Sequence, residues 1–226
     1  MKIKKLKTLA QKLIEDVSYR DEFVIPNKDY SEEPWITENA FMCLIYLSQN
    51  EGKRALSLYR KLNSNYQDGL LYKHKPSSQS ISIPGSISMG FPALALGHEN
   101  KAREIYYEIK NVFNRNKNLK EYLFDIAGIA MLHYAIENEK PYYVYDKLKE
   151  FKTDSVLYRD IESEKQTRVY SNALTAILLN LLDDKEVFEL AETLLNTKTQ
   201  DIRDKILLAF MCLSLSKEEF GKLKFF

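Results

Sequence analysis

Aromatic, amide and carboxylate side chains recur where apolar helical segments begin. Trp35, Glu38 and Asn39 stand at one such start and Ser88 close to a second. Asp125 stands at a third, Tyr170 and Asn172 at a fourth, and Arg203 and Asp204 at a fifth. Aromatic faces stack on sugar rings, and carboxylates and amides bind hydroxyls, so this mixture suits a sugar or another polyhydroxylated small molecule. Five helix N-termini aimed at one mouth would add unpaired N–H groups and positive dipole ends, which favour polar or anionic groups. The same residue types also cap helices, and Thr37, Ser86, Asp125, Ser171 and Asp201 fit that role equally well. Trp35, next to Pro34, reads either as a packing staple or as a pocket wall.

Other chemistries find little footing. There is no Gly-rich phosphate loop and no HExxH, and with seven glycines GxGxxG is absent, so no cofactor and no metal are expected. His74, His98 and His133 fall in a loop, a turn and an apolar helix without ligand spacing. His133, within Met131-Leu132-His133-Tyr134, reads as a satisfied core or cavity histidine. Lys2, Lys4, Lys5 and Lys7 read as the solvated face of a first helix.

The elements that must position these residues form a repeat. Five times an apolar run at helical spacing is followed by a short polar turn, and four times a full amphipathic helix comes next. The segments are 39–48 with 53–62, 86–97 with 101–113, 125–136 with 140–151, 170–182 with 185–195, and 202–215 with a short tail from Lys217. Lys53, Lys101, Lys140, Lys185 and Lys217 open the second members at steps of 48, 39, 45 and 32 residues, too irregular for tetratricopeptide or ankyrin repeats. Leu58, Tyr106, Tyr145 and Leu190 follow the first four lysines at equal distance and suggest a common buried position. First members are apolar nearly all round and belong inside, whereas second members carry charge on one face and belong outside. Residues 1–18 make a further amphipathic helix that could pair with the last inner helix and close a ring of five hairpins. An open solenoid is the competing geometry.

Composition supports an all-α, single-domain reading of residues 1–226. Gly 7 plus Pro 6 is about half the usual share, too few for the turns of a strand-rich fold. Lys plus Arg is 33 against 32 for Asp plus Glu, which argues against nucleic acid as a partner. No apolar run reaches bilayer length and no signal peptide is evident, so no membrane association and a cytoplasmic location are expected. Cys43 and Cys212 lie inside apolar runs and read as reduced core thiols.

Inner-to-outer turns are short, so the uneven connections gather on the opposite face, at the inner-helix N-termini. The longest are 63–84 and 152–169. Residues 69–74 and 80–83 flank Pro76 and could pair as a small β-hairpin, and 155–158 could be another extended piece.

The segment Trp35-Ile36-Thr37-Glu38-Asn39-Ala40, followed by an apolar helix, a polar turn and a Lys-Arg-Ala helix, resembles hairpins of the α/α-toroid proteins. These include the six-hairpin glycosidases, sugar epimerases and related lyases. The loop Tyr66-Gln67-Asp68-Gly69-Leu70-Leu71-Tyr72 is similar to their Asp-Gly loops, and Asp68 and Tyr72 join the candidate binding residues on that account. Six hairpins are usual there, and five are countable here. The resemblance implies a carbohydrate-active toroid, and glycosidase chemistry needs two carboxyl groups flanking the scissile bond. Glu38 and Asp125 open the first and third inner helices and could face each other as catalytic residues, with Asp68 and Asp204 in reserve. The alternative is a non-catalytic module that binds a protein or peptide on a concave face. Phe220, Leu223, Phe225 and Phe226 make an apolar tail expected to dock on the fold.

Overall fold

The computed structural model describes residues 3–15, 17, 19–20, 22–25, 33–116, 120–161 and 166–216, without the side chains of residues 3 and 4. The tail 217–226 and Lys2 lie outside the described residues. The fold is all-α. Ten helices are described: α1 (Ile3–Glu15), α2 (Ile36–Ser48), α3 (Gly52–Tyr66), α4 (Ile83–Ala95), α5 (Glu99–Arg115), α6 (Leu123–Glu137), α7 (Val144–Phe151), α8 (Val169–Leu181), α9 (Val187–Asn196) and α10 (Ile202–Ser216).

The even-numbered helices form the interior because they have no polar side to give to water. Every residue of α2 except Leu47 is buried, and α4, α8 and α10 are buried nearly as completely. The outer helices bury one stripe each, as in α3 with Ala55, Leu58, Tyr59, Leu62 and Tyr66. Of the four aligned outer positions, Leu58, Tyr106 and Leu190 are buried and Tyr145 is half-buried. Helix α2 packs on α4, α4 on α6, α6 on α8, α8 on α10, and α10 on α2. Helices α3, α5, α7 and α9 cover α2, α4, α6 and α8, and α1 lies along α10. Between the inner helices, the Phe41 ring meets Phe91 at 6.0 Å, Phe124 at 6.3 Å and Phe210 at 4.9 Å, joining α2 to α4, α6 and α10.

Small residues let the inner helices approach. A Cβ added at Gly128 would stand 2.4 Å from Ile87 Cγ2, and one at Gly85 equally close to Ile36 Cγ2. Each short inner-to-outer turn places one residue in the left-handed region: Asn50, Gly97, Asn138 and Asp183.

The helix starts differ from the sequence expectation in an informative way. Four inner helices begin one to three residues earlier than expected, after Trp35, Ser82, Tyr122 and Arg168. Thr37, Ser86, Asp125 and Ser171 therefore sit inside the first turn rather than at caps. Side-chain capping is carried by Ser82, whose Oγ accepts from Gly85 N at 3.0 Å, and by Asp201, whose Oδ1 accepts from Arg203 N at 2.7 Å. Helix α7 starts at Val144 instead of Lys140, because Pro141 disfavours helical geometry at the residue before it.

The expected pairing of 69–74 with 80–83 is reduced to a single bridge, and a different ribbon forms instead. Gln67–Asp68 (β1) pairs with Leu71–Tyr72 (β2) around Gly69, which has φ +63°. Residues 80–83 contribute one bridge, Lys73 to Ile81. The sequence did not reveal a second small ribbon, Tyr19–Arg20 with Phe23–Val24.

Loop segments that cross the buried helix starts are held by inner-helix side chains. Asn172 Oδ1 accepts from Tyr158 N at 2.7 Å, and its Nδ2 donates to Tyr158 O at 2.8 Å and Arg168 O at 2.9 Å. Asn39 repeats the arrangement on Val24 and Trp35. In α4, Ser86 Oγ accepts from Tyr72 N and donates to Ser82 O. Replacing Asn172 by Ala leaves the buried N–H and C=O of Tyr158 unpaired. We expect Asn172→Ala to lose about 2–4 kcal/mol in urea unfolding, and a matched exposed change, Ser64→Ala, to lose under about 0.5 kcal/mol.

Candidate functional site

The starts of all five inner helices border one cavity of about 270 Å³. Helix α2 brings Thr37, α4 brings Ser82 and Pro84, and α6 brings Tyr122 and Phe124. Helix α8 brings Arg168 and Tyr170, and α10 brings Arg203, while His74 and Asp160 enter from the two long connections. Phe124 belongs to the phenylalanine cluster described above, so that cluster lies directly beneath the cavity wall. The first-turn N–H groups of a helix carry partial positive charge, and five first turns meet here.

Two arginines organise the wall. Arg203 Nε lies 2.5 Å from Glu38 Oε1, and its guanidinium sits 4.7 Å from the Trp35 ring centre and 5.0 Å from that of Tyr170. Arg168 Nη1 donates to the Tyr170 hydroxyl at 2.7 Å, and its guanidinium is 5.8 Å from the same ring centre. Its Nε also pairs with Asp160 Oδ2 at 3.0 Å, while Ser171 Oγ donates to Asp160 Oδ1 at 2.6 Å. Phe124 meets Tyr170 edge-on at 5.9 Å. Trp35, Arg203, Tyr170 and Arg168 therefore form one alternating aromatic and cationic stack.

The titrating groups follow from burial. Burial lowers the His74 imidazole, and the charges of Arg203 and Lys75 lower it further, so the ring is neutral at pH 7. It packs on Trp35 at 5.0 Å between ring centres. Burial raises the Glu38 carboxyl, against the opposing pull of Arg203, and Glu38 Oε2 has no hydrogen-bond partner. Arg168 has the more open side chain of the two, 39% exposed against 18% for Arg203.

Of the residues singled out from sequence, Tyr170 and Arg203 line this cavity, and Trp35 packs on Arg203 and His74 beside it. Glu38 stands behind Arg203 as its counter-ion. Asp204 supports the site from the rear, accepting from Tyr170 N at 3.1 Å and from Thr199 Oγ1 at 2.8 Å. Asn39 and Asn172 are occupied by the backbone clamps, and Ser88 Oγ donates to Pro84 O at 2.7 Å. Tyr72 donates to Asn63 at 2.5 Å beneath the small ribbon, and Asp68 pairs with Lys73 at 3.7 Å on its surface. Asp125 borders a different cavity, which Glu38 does not touch, so those two carboxyls do not face each other across a shared space. His133 accepts from or donates to Tyr106 OH at 2.9 Å, and both cysteines are buried free thiols.

Sequence reasoning missed Arg168, His74 and Asp160. A signal for Arg168 was present: it precedes Asn172 by four residues, as Trp35 precedes Asn39, and both asparagines are followed by Ala. Asp160 carried no such signal, because its position depends on the 152–168 connection crossing the start of α6, where Leu123 N donates to Asp160 O at 2.9 Å. Among the described residues, no cluster of three His, Cys, Asp or Glu side chains is placed to hold a metal ion. Among them, too, no helix is long and apolar enough to cross a membrane.

No protein-family model and no curated protein matches the chain. In structure it is similar to PssZ from Listeria monocytogenes, with a TM-score of 0.56 and 9% sequence identity, over 94% of this chain and 95% of that one. At that identity the likeness concerns the fold alone.

Burial pushes the Asp125 carboxyl up to about 8, with the nearby charge of Asp160 adding to the effect. Between its ordinary value near 3.8 and 8, the folded chain holds a proton that the unfolded chain has lost. Stability contributed at this position therefore falls as pH rises through that window. Asp125→Asn removes this titration, so its stability relative to the parent in thermal unfolding should rise steadily from pH 4 to pH 8.

Proposed function

We propose that the chain is a five-unit α/α toroid whose pocket at the inner-helix N-termini binds an anionic, polyhydroxylated small molecule of the acidic-sugar class. The toroid reading rests on the neighbour relation of the even-numbered helices, which returns to its start through α10 and α2. The α1 helix then serves as the outer member of the fifth pair.

The observation that carries the ligand class is the stack Trp35–Arg203–Tyr170–Arg168 on a wall made of five helix starts. Guanidinium groups take a carboxylate or phosphate in a planar fork. The half-buried Tyr170 ring offers a face to a sugar ring, with Trp35 behind Arg203, and Thr37, Ser82 and Tyr122 offer hydroxyls. The cavity volume suits one sugar unit rather than a long chain.

Hydrolysis by paired carboxylates finds less support. Of the two carboxylates nearest the cavity, Glu38 is committed to Arg203 and Asp160 to Arg168. A glycosidase needs one free acid and one free base or nucleophile. The peptide-groove alternative is weakened by the phenylalanine cluster, which occupies the space a concave surface would need. A neutral imidazole beside two guanidiniums favours a different chemistry, removal of a proton from the carbon next to an arginine-bound carboxylate. His74 would act as the base, in the manner of a lyase or epimerase.

Trp35 is the protein's single tryptophan, so its fluorescence reports directly on this wall. We expect glucuronate to shift that emission saturably and glucose to bind at least about tenfold more weakly, a difference of about 1.4 kcal/mol. Arg168→Gln should weaken glucuronate about tenfold without unfolding the protein, and added salt should weaken it further. Equal binding of glucose and glucuronate, or an unaffected Arg168→Gln variant, would overturn the assignment. Deuterium uptake at the carbon next to the bound carboxylate, lost in His74→Asn with binding kept, would extend it to catalysis.

A further inference from the structure

Asp125 is the most conspicuous polar group that the arginine cavity does not use. It is 3% exposed, its Oδ1 has no hydrogen-bond partner among the described residues, and it borders a separate cavity of about 350 Å³ between α5, α6 and α7. A buried carboxyl without a partner is unfavourable in an isolated core, and such groups are normally satisfied. Phe113 from α5, Ile126, Ile129 and Ala130 from α6, and Val144 from α7 form its apolar lining, with the exposed Tyr143 ring as a lip, and Lys110, Asn114, Glu121 and Lys147 complete it.

Lys147 of α7 bridges Glu121 and Glu150, each at 2.7 Å. Lys110 of α5 lies 5.2 Å from the Tyr106 ring centre. Asp160, whose charge acts on Asp125, is paired with Arg168 and held by Ser171. Among the described residues, Asp125 forms no salt bridge with either lysine of this lining.

We propose that this cavity is a second ligand site, which takes a small apolar ammonium ion. Its charged head meets the Asp125 carboxylate and its ring or chain lies against Phe113, Ile126, Ile129 and Val144. The assignment does not rest on the arginine cavity or on the toroid reading. Binding moves one proton from the Asp125 carboxyl to solvent, and the ammonium N–H groups then donate to both carboxylate oxygens. Apolar burial supplies affinity and the ion pair supplies selectivity over neutral analogues.

The test is calorimetric titration with benzylammonium, with benzyl alcohol as the neutral control. Because Asp125 starts protonated below pH 8, affinity for benzylammonium should rise about tenfold per pH unit from 6 toward 8 and level off above it. At pH 6.5 the heat should vary with buffer ionisation enthalpy, reporting close to one proton released. Asp125→Asn should reduce benzylammonium to the affinity of benzyl alcohol at every pH. Ile129→Trp, which fills the cavity while leaving Asp125 in place, should remove both. Benzylammonium binding that is independent of pH, unchanged in Asp125→Asn, or no tighter than that of benzyl alcohol at pH 8.5 would overturn the proposal. So would absence of binding at millimolar concentration. A glucuronate titration read at Trp35 on the same samples separates this outcome from failure of the arginine cavity.

Discussion

An α-helix that is apolar on every side has no face to give to water, and five such helices in one chain set the terms for everything else. Each must be flanked on both sides and covered from outside. The packing order α2, α4, α6, α8, α10 and back to α2 meets that demand without leaving an inner helix at an edge. Close packing then decides local residue choice. Gly85 and Gly128 are glycines because Ile36 and Ile87 of the neighbouring helix stand where a Cβ would be. The four phenylalanines of α2, α4, α6 and α10 take up the space that remains between the helices.

The same constraint creates the site. Chain segments that approach buried helix starts bring backbone N–H and C=O groups into a region where water cannot pair with them. Asn39 and Asn172 solve this locally, each binding one approaching residue on both its N–H and its C=O. Because each asparagine also holds the carbonyl four residues earlier, Trp35 and Arg168 are fixed at matching places on two different helices. The positions of Trp35 and Arg168 in the aromatic and guanidinium stack thus follow from satisfying backbone polarity at these helix starts.

Most of the helical framework was legible in the sequence, since apolar spacing and short polar turns persist through all five units. The helix starts were less legible because Trp35, Tyr122 and Arg168 are not capping types, and the true first turns contain the Thr, Ser and Asp that imitate caps. The site was legible in part. Convergence of inner-helix starts followed from the hairpin repeat, and Trp35, Tyr170 and Arg203 were readable as candidates from their positions there. The pairing of Glu38 with Arg203 was not readable, because the two are 165 positions apart and meet only when α10 packs on α2. The separation of Asp125 from Glu38 was equally invisible. A residue at the start of an inner helix can turn toward the centre or toward the outer layer, and spacing alone does not distinguish the two.

The pairing of α1 with α10 has a consequence for how the protein comes into being. A ribosome releases α1 first and α10 last among the described helices, and α10 is also the neighbour α2 needs on its second side. Until it emerges, Leu6 and Ala10 on α1 and one flank of α2 have nothing native to rest against. Hairpins 2 to 4 can gather as they are made, but the final arrangement forms only once α10 has emerged. The interval before that is when this protein depends most on whatever shields apolar surface in its surroundings.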